Sequence, residues 1–223
     1  GAAMLDHALA PLRGVPLRET VFVVPPDDRG LRAHVEARGP SPARFVVQPE
    51  PRGQADAVAR ACAGVDGPVL VLLPDTIHDV DLAALAELGA DPDAPDGVLH
   101  VRRVDDPSRF GVAEVADGRV IRLVEKPADR ACDLAVVGVY WLRDARALEH
   151  ACRTAPAGPD GEAYLATALQ RLIDGGARLE AREVATWLDC GTPEDLRAAD
   201  LALRARAGLG AGAAIGAPAG RGA

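Results

Sequence analysis

The sequence predicts a three-layer α/β/α domain: a mixed, mainly parallel sheet between helices, with an antiparallel hairpin inserted late in the chain. Three observations predict it. Short runs of Val and Leu, such as residues 21–24 (VFVV) and 69–73 (VLVLL), alternate with segments whose apolar residues recur at helical spacing. The runs are continuous, the pattern of strands covered on both faces as in a parallel sheet. Ala116-Asp117-Gly118 then stands between two strand-like stretches, and Asp-Gly in that setting signals a tight hairpin.

The elements follow in order. Residues 4–12 carry apolar side chains at helical spacing, and 21–24 reads as a buried strand. Asp27-Asp28 supplies caps for a helix running to about residue 37. Residues 45–47 form a second short strand, 53–63 a helix with Ala and Val along one face, and 69–73 the clearest buried strand. Further on, 97–101 is apolar with one His, and 111–115 and 119–126 flank the Asp-Gly turn. Residues 135–141 (AVVGVYW) make another strand, and a helix over 161–174 is closed by Gly175-Gly176. Residues 179–187 are extended, and 193–206 is a helix with Pro193 in its first turn. Residues 207–223 are mostly Gly and Ala, with Leu209 and Ile215 as their only large apolar side chains, and read as a mobile tail.

Composition excludes several classes of function. The net charge is −8 with no basic cluster, so nucleic acid is not an expected partner. No apolar run reaches 18 residues, so no membrane span is expected, and no secretory signal opens the chain. Cys62, Cys132, Cys152 and Cys190 are scattered without a CxxC, which suggests neither a zinc site nor a disulfide framework and fits a reducing, cytoplasmic compartment. Of the 25 basic side chains 24 are Arg; Lys126 is the only lysine.

Ligands on open α/β sheets bind outside the carboxyl ends of the strands, which directs attention to the residues there. Asp75 directly follows VLVLLP, and Asp189 lies in WLDCGT where an extended run meets a Gly turn. Two such carboxylates can converge on one Mg²⁺, completed by substrate phosphates and water; each can equally cap a turn or helix. In QPEPRGQADA, Gly53 permits close backbone approach, and the amides of Gln48 and Gln54 can pair with the edge of a nucleobase. Gly111 precedes the hairpin, and Gly138 inside a strand marks a bulge or a close ligand approach. Glu125 and Lys126 are strand neighbours and point to opposite faces unless Pro127 ends the strand and twists it. Glu accepts from sugar hydroxyls, and Lys is a mobile point charge suited to a phosphate.

Taken in order, QPEPRGQADA, LLPDTI, DDPSRFGVAEV, LVEKP, AVVGVYW, GEAYLATALQ and TWLDCGTPEDL resemble the sugar-1-phosphate nucleotidyltransferases, in particular the glucose-1-phosphate thymidylyltransferase and uridylyltransferase branch. The resemblance covers about residues 1–205 and implies a Rossmann-like domain over 1–206, with a nucleotide-binding half of about 1–95 and a sugar-binding half of about 96–206. It implies transfer of a nucleotidyl group from a nucleoside triphosphate to a sugar 1-phosphate, with Mg²⁺ as cofactor. By that resemblance Gln48 and Gly53 read the base, Asp75 and Asp189 hold the metal, Glu125 binds sugar hydroxyls, and Lys126 binds the sugar phosphate. Gly111 and Gly138 line the sugar pocket by backbone. A homo-oligomer is implied on the same ground alone.

The sequence departs from the family in places. The family opens with a strand and a GxGTR-type phosphate loop, and neither is found here. A fragment of a longer enzyme, a misassigned start and a noncatalytic homologue that only binds a nucleotide sugar all account for that. Phe110 stands where Tyr is common, and Tyr164 and Thr167 replace acidic and polar positions.

Overall fold

Local chemistry sets the first elements of this computed structural model, which describes residues 3–28, 30–128 and 132–206. The chain forms two units, residues 1–187 and 188–223. The Gly- and Ala-rich tail expected at 207–223 lies outside the described residues.

In the first unit, α1 (Met4–Leu9) runs into a 3-10 turn, Ala10–Leu12. Strand β1 (Thr20–Val24) leads to α2 (Gly30–Arg38), whose start is held by Asp28: its Oδ1 accepts from the Leu31 N–H at 3.0 Å. Then come β2 (Ala43–Val47), α3 (Gln54–Cys62), β3 (Val69–Leu72), β4 (Thr76–His78) and α4 (Leu82–Glu87). Asp81 caps α4 by accepting from Ala83 and Ala84. The rest is β5 (Gly97–Arg103), β6 (Gly111–Ala116), β7 (Arg119–Glu125), β8 (Leu134–Leu142), α5 (Ala145–Thr154), α6 (Leu165–Asp174) and β9 (Leu179–Glu183). A short strand, β10 (Trp187–Asp189), begins at the end of this unit.

Six strands form one sheet in the order β3-β8-β5-β9-β7-β6, while β1 and β2 form a parallel pair of their own. The large sheet separates two apolar cores. On one face Leu99, Tyr140 and Leu142 pack with Val58, Leu148 and Leu169 of α3, α5 and α6. On the other, Val98, Val139 and Trp141 pack with Leu12 and with Leu82 and Leu85 of α4. Successive residues of a strand point to opposite faces, so Val98 and Leu99 serve different cores. This is the expected sheet between helices.

The expectation of a mainly parallel sheet is corrected. Within the six-stranded sheet, among the described residues, the parallel pairing is β5–β9; β3–β8, β5–β8, β6–β7, β6–β8 and β7–β9 are antiparallel. A run of Val and Leu reports burial, not direction, so it could not distinguish the two. Nor is β3 the most buried strand: its four residues are partly exposed at the sheet edge, whereas β8 runs through the middle. The hairpin is as expected: Ala116 pairs with Arg119, leaving Asp117 (φ 50°) and Gly118 (φ 76°) as a two-residue turn.

Gly138 marks a bulge. The β5–β8 register shifts between Leu99 and Val101, so residues 137–139 stand opposite His100 alone. The buried His100 ring bonds through Nδ1 to the Val139 carbonyl at 3.1 Å, and burial pulls its pKa down to about 4. The expected helix over 161–174 starts later, at Leu165, because residues 158–164 form a loop that packs on Gly53.

In the second unit, α7 (Pro193–Arg206) starts at Thr192, whose Oγ1 accepts from the Asp195 N–H at 3.1 Å. Asp189 Oδ1 accepts from the Gly191 N–H at 3.1 Å.

Candidate active site

The hairpin strands β6 and β7 bring Gly111 opposite Glu125. A Cβ on Gly111 would stand 2.9 Å from Glu125 Oε2, so the bare backbone of Gly111 makes room for that carboxylate. Glu125 is half-buried, and burial raises its pKa, reinforced by the carboxylates of Asp160 and Glu162 and opposed by Lys126.

Strand β7 ends at Glu125 because Lys126 itself turns left-handed, with φ 43°. The sequence assigned that twist to Pro127; the structure assigns it to the residue before it. The Lys126 N–H donates to the Phe110 carbonyl at 3.0 Å, and Pro127 is buried. The Lys126 ammonium lies 5.4 Å from the centroid of the Tyr164 ring. Tyr164 was not among the site residues read from the sequence. Its only signal there was a Tyr in the GEAYLATALQ segment where the resemblance expects a polar or acidic residue.

At the other side of the bulge, Gly138 has φ 82°, and a Cβ there would press on Leu73 at 3.0 Å. The Leu73 N–H donates to the Gly138 carbonyl at 2.9 Å, so this glycine ties the end of β3 to β8. Asp75 follows and is exposed, while the next residue, Thr76, is buried. Thr76 Oγ1 donates to the Val137 carbonyl at 2.9 Å and accepts from Trp187 Nε1 at 3.0 Å. The Trp187 ring meets Phe110 edge-on at 5.0 Å. Thr76 thus anchors the root of Asp75. The buried Tyr140 hydroxyl has its pKa raised by burial and then by the carboxylates of Glu125 and Asp75, so both charges act on one phenol.

Gln48 and Gly53 lie where β2 gives way to α3. Gln48 Nε2 donates to the Gly53 carbonyl at 3.2 Å and to Asp56 Oδ2 at 2.8 Å. Asp56 is held ionised by Arg60 first, and also by this amide. An ionised carboxylate only accepts, so it fixes which end of the amide is NH₂ and leaves Gln48 Oε1 as an acceptor. Gln54, the first residue of α3, is exposed. Gly53 has φ 95°, and its Cβ side is filled by the Ala163 backbone, 2.6 Å from where a Cβ would stand. The close approach at Gly53 is therefore made by the chain itself on that side.

Among the described residues no three His, Cys, Asp or Glu side chains group as a metal site. A cation held by one or two carboxylates and substrate oxygens does not need such a group, and the exposed carboxylate of Asp75 is a hard oxygen donor of the right kind. No helix among the described residues is long and apolar enough to cross a membrane.

Comparison with known proteins matches this architecture. The sequence profile of the nucleotidyl transferase family fits residues 1–206. A glucose-1-phosphate thymidylyltransferase of Streptomyces antibioticus is 34% identical over 155 residues, 68% of this chain. The chain spans 43% of that relative's length. A UTP–glucose-1-phosphate uridylyltransferase of Haloferax volcanii is 28% identical over 201 residues, covering 87% of this chain and 81% of the relative. In fold, the nucleoside-diphosphate-sugar pyrophosphorylase of Vibrio cholerae superposes with a TM-score of 0.74 at 21% identity, over 89% of this chain and 87% of that one. The chain belongs to the nucleotidyl transferase family, among the sugar-1-phosphate nucleotidyltransferases.

Proposed function

We propose that this chain carries the substrate-binding body of an enzyme that moves a nucleotidyl group from a nucleoside triphosphate, dTTP or UTP, to a sugar 1-phosphate and releases pyrophosphate. The observation that carries this reading is the Glu125–Lys126 pair. The left-handed turn at Lys126 sets a half-buried carboxylate beside an exposed ammonium at the end of one strand. A carboxylate over a bare glycine backbone suits sugar hydroxyls, and an adjacent point charge suits the sugar's phosphate.

The oriented amide of Gln48 supports the choice of base. With Nε2 held by Gly53 and Asp56, its remaining edge accepts a hydrogen bond, which suits the N3–H of thymine or uracil. In the reaction a phosphate oxygen of the sugar 1-phosphate attacks the α-phosphorus in line, and pyrophosphate leaves with the electrons of the broken P–O bond. Lys126 offsets the charge of the attacking phosphate, and Glu125 orients the sugar ring, so the protein contributes mainly positioning and charge neutralisation. A bound Mg²⁺ would neutralise developing charge on the phosphates; the exposed carboxylate of Asp75 is proposed as its ligand. Cysteines scattered along the chain without a CxxC agree with a reducing, cytoplasmic setting.

A Gly-rich phosphate loop does not occur in these residues, so full activity is expected of a longer chain and little turnover of these 223 residues alone. A chain carrying such a loop, incubated with dTTP or UTP, glucose 1-phosphate and Mg²⁺, should release pyrophosphate. No release across a panel of nucleotides and sugar phosphates would overturn the reading. Tight, Mg²⁺-independent binding of a nucleotide sugar without turnover would identify a noncatalytic binding protein instead.

A further inference from the structure

The root of Lys126 is fixed, but a four-carbon side chain on a fixed root still wanders. Its backbone is held by the bond to Phe110 and by the buried Pro127. Its ammonium makes no hydrogen bond or ion pair among the described residues, although Glu125 and Asp160 both act on it through space. What it does meet is the face of Tyr164.

That ring is mounted with care. The Tyr164 hydroxyl donates to Asp160 Oδ2, and Asp160 Oδ1 also accepts from the Glu162 N–H at 3.1 Å. This contact lowers the pKa of Asp160 and pushes that of Tyr164 up to about 12. Gly158 packs against the ring so closely that a Cβ there would collide with it. On the other side Tyr164 precedes α6 as its N-cap residue. The ring is pinned at its hydroxyl, its edge and its backbone.

We propose that Tyr164 is a positioning residue for Lys126: its ring face holds the ammonium in place while leaving all three N–H donors for an incoming phosphate. This rests on the reading of Lys126 as the phosphate-binding group. A carboxylate in the same position would consume a donor and cancel the charge. An aromatic face attracts the cation through its quadrupole and takes no hydrogen-bond donor from it. The cost of ordering a long side chain is then met before the phosphate arrives, which is preorganisation.

The single lysine makes the test direct. Reductive ¹³C-methylation labels Lys126 as the only side-chain amine, and Lys126→Gln, which removes the signal, assigns it. In the unmodified sequence the dimethyl-lysine resonance is expected upfield, shifted by the ring current. Tyr164→Phe, which keeps the ring, should retain the shift, and Tyr164→Leu should move it to the value of a free side chain. Melting curves show that each variant is folded. Calorimetric titration of the unmethylated proteins, whose Lys126 keeps all three N–H donors, with inorganic phosphate should give a Kd about two- to fivefold weaker in Tyr164→Leu and near the original in Tyr164→Phe. An unshifted resonance in the original protein, or one Kd for both variants, overturns the positioning role. Neither measurement needs turnover: if both hold while a chain carrying a phosphate loop transfers no nucleotide across the panel of substrates, the proposed activity is overturned and this role stands.

Discussion

The backbone of Ala163 crosses Gly53 so closely that a Cβ on Gly53 would stand 2.6 Å from the Ala163 carbonyl oxygen and 2.8 Å from its nitrogen. Two hydrogen bonds lock the crossing: Ala55 N–H to the Ala163 carbonyl at 2.9 Å, and Ala163 N–H to the Arg52 carbonyl at 2.8 Å. Gly53→Ala combines this clash with a φ of 95° that an L-residue rarely adopts. A loss of about 1–3 kcal/mol is expected by urea denaturation. Gly64→Ala is the control, with φ 76° but nothing within 4 Å of its Cβ; it should cost only the backbone term of about 1 kcal/mol.

Glu125 makes stability depend on pH. Its pKa is raised in the folded chain, so ionisation costs the folded state more than the unfolded one. Below the ordinary glutamate range both states hold the proton and nothing is lost. As pH rises through that range to the folded value, stability falls, and above it the loss is constant. Glu125→Gln should therefore raise Tm at about pH 7, with the gain vanishing towards about pH 4. A Tm gain that persists unchanged at the acid end would refute the assignment.

Lys126→Arg keeps the charge but replaces a compact ammonium with a planar fork. In a chain carrying a phosphate loop, the KM for sugar 1-phosphate should rise at least about tenfold while nucleotide affinity stays within about twofold. Equal losses for both substrates, or none, would make the lone lysine an accident of composition.

Cys62 and Cys152 are buried, and burial pushes their thiols up to about 11 and about 12. Thiolate is the reactive form, so neither should be alkylated at about pH 8 until the protein unfolds. Mass mapping after timed labelling should find Cys132 and Cys190, which are partly exposed, modified first.

Asp144 accepts from the N–H groups of Arg146 and Ala147 at the start of α5, a helix that buries Leu148 and Cys152. Asp144→Ala should cost about 1 kcal/mol in chemical denaturation without changing the m-value.

The sequence by itself determined whatever has a short-range cause. The Asp117-Gly118 turn, the Asp28 contact to α2, the stop at Gly175 and the bulge at Gly138 were all legible, because each depends on the conformational freedom or hydrogen bonding of a few adjacent residues. The ordered motifs also carried the family. Tertiary structure decided strand direction, since the apolar run of β3 is equally content beside a parallel or an antiparallel neighbour and only its place against β8 makes it antiparallel. It also moved the twist from Pro127 to Lys126, where the hydrogen bond to Phe110, distant in sequence, holds a positive φ. The meeting of Lys126 and Tyr164 was invisible for the same reason. One residue ends β7 and the other precedes α6, and no periodicity relates them; only packing α6 over the hairpin strands sets a ring beneath the chain's single lysine.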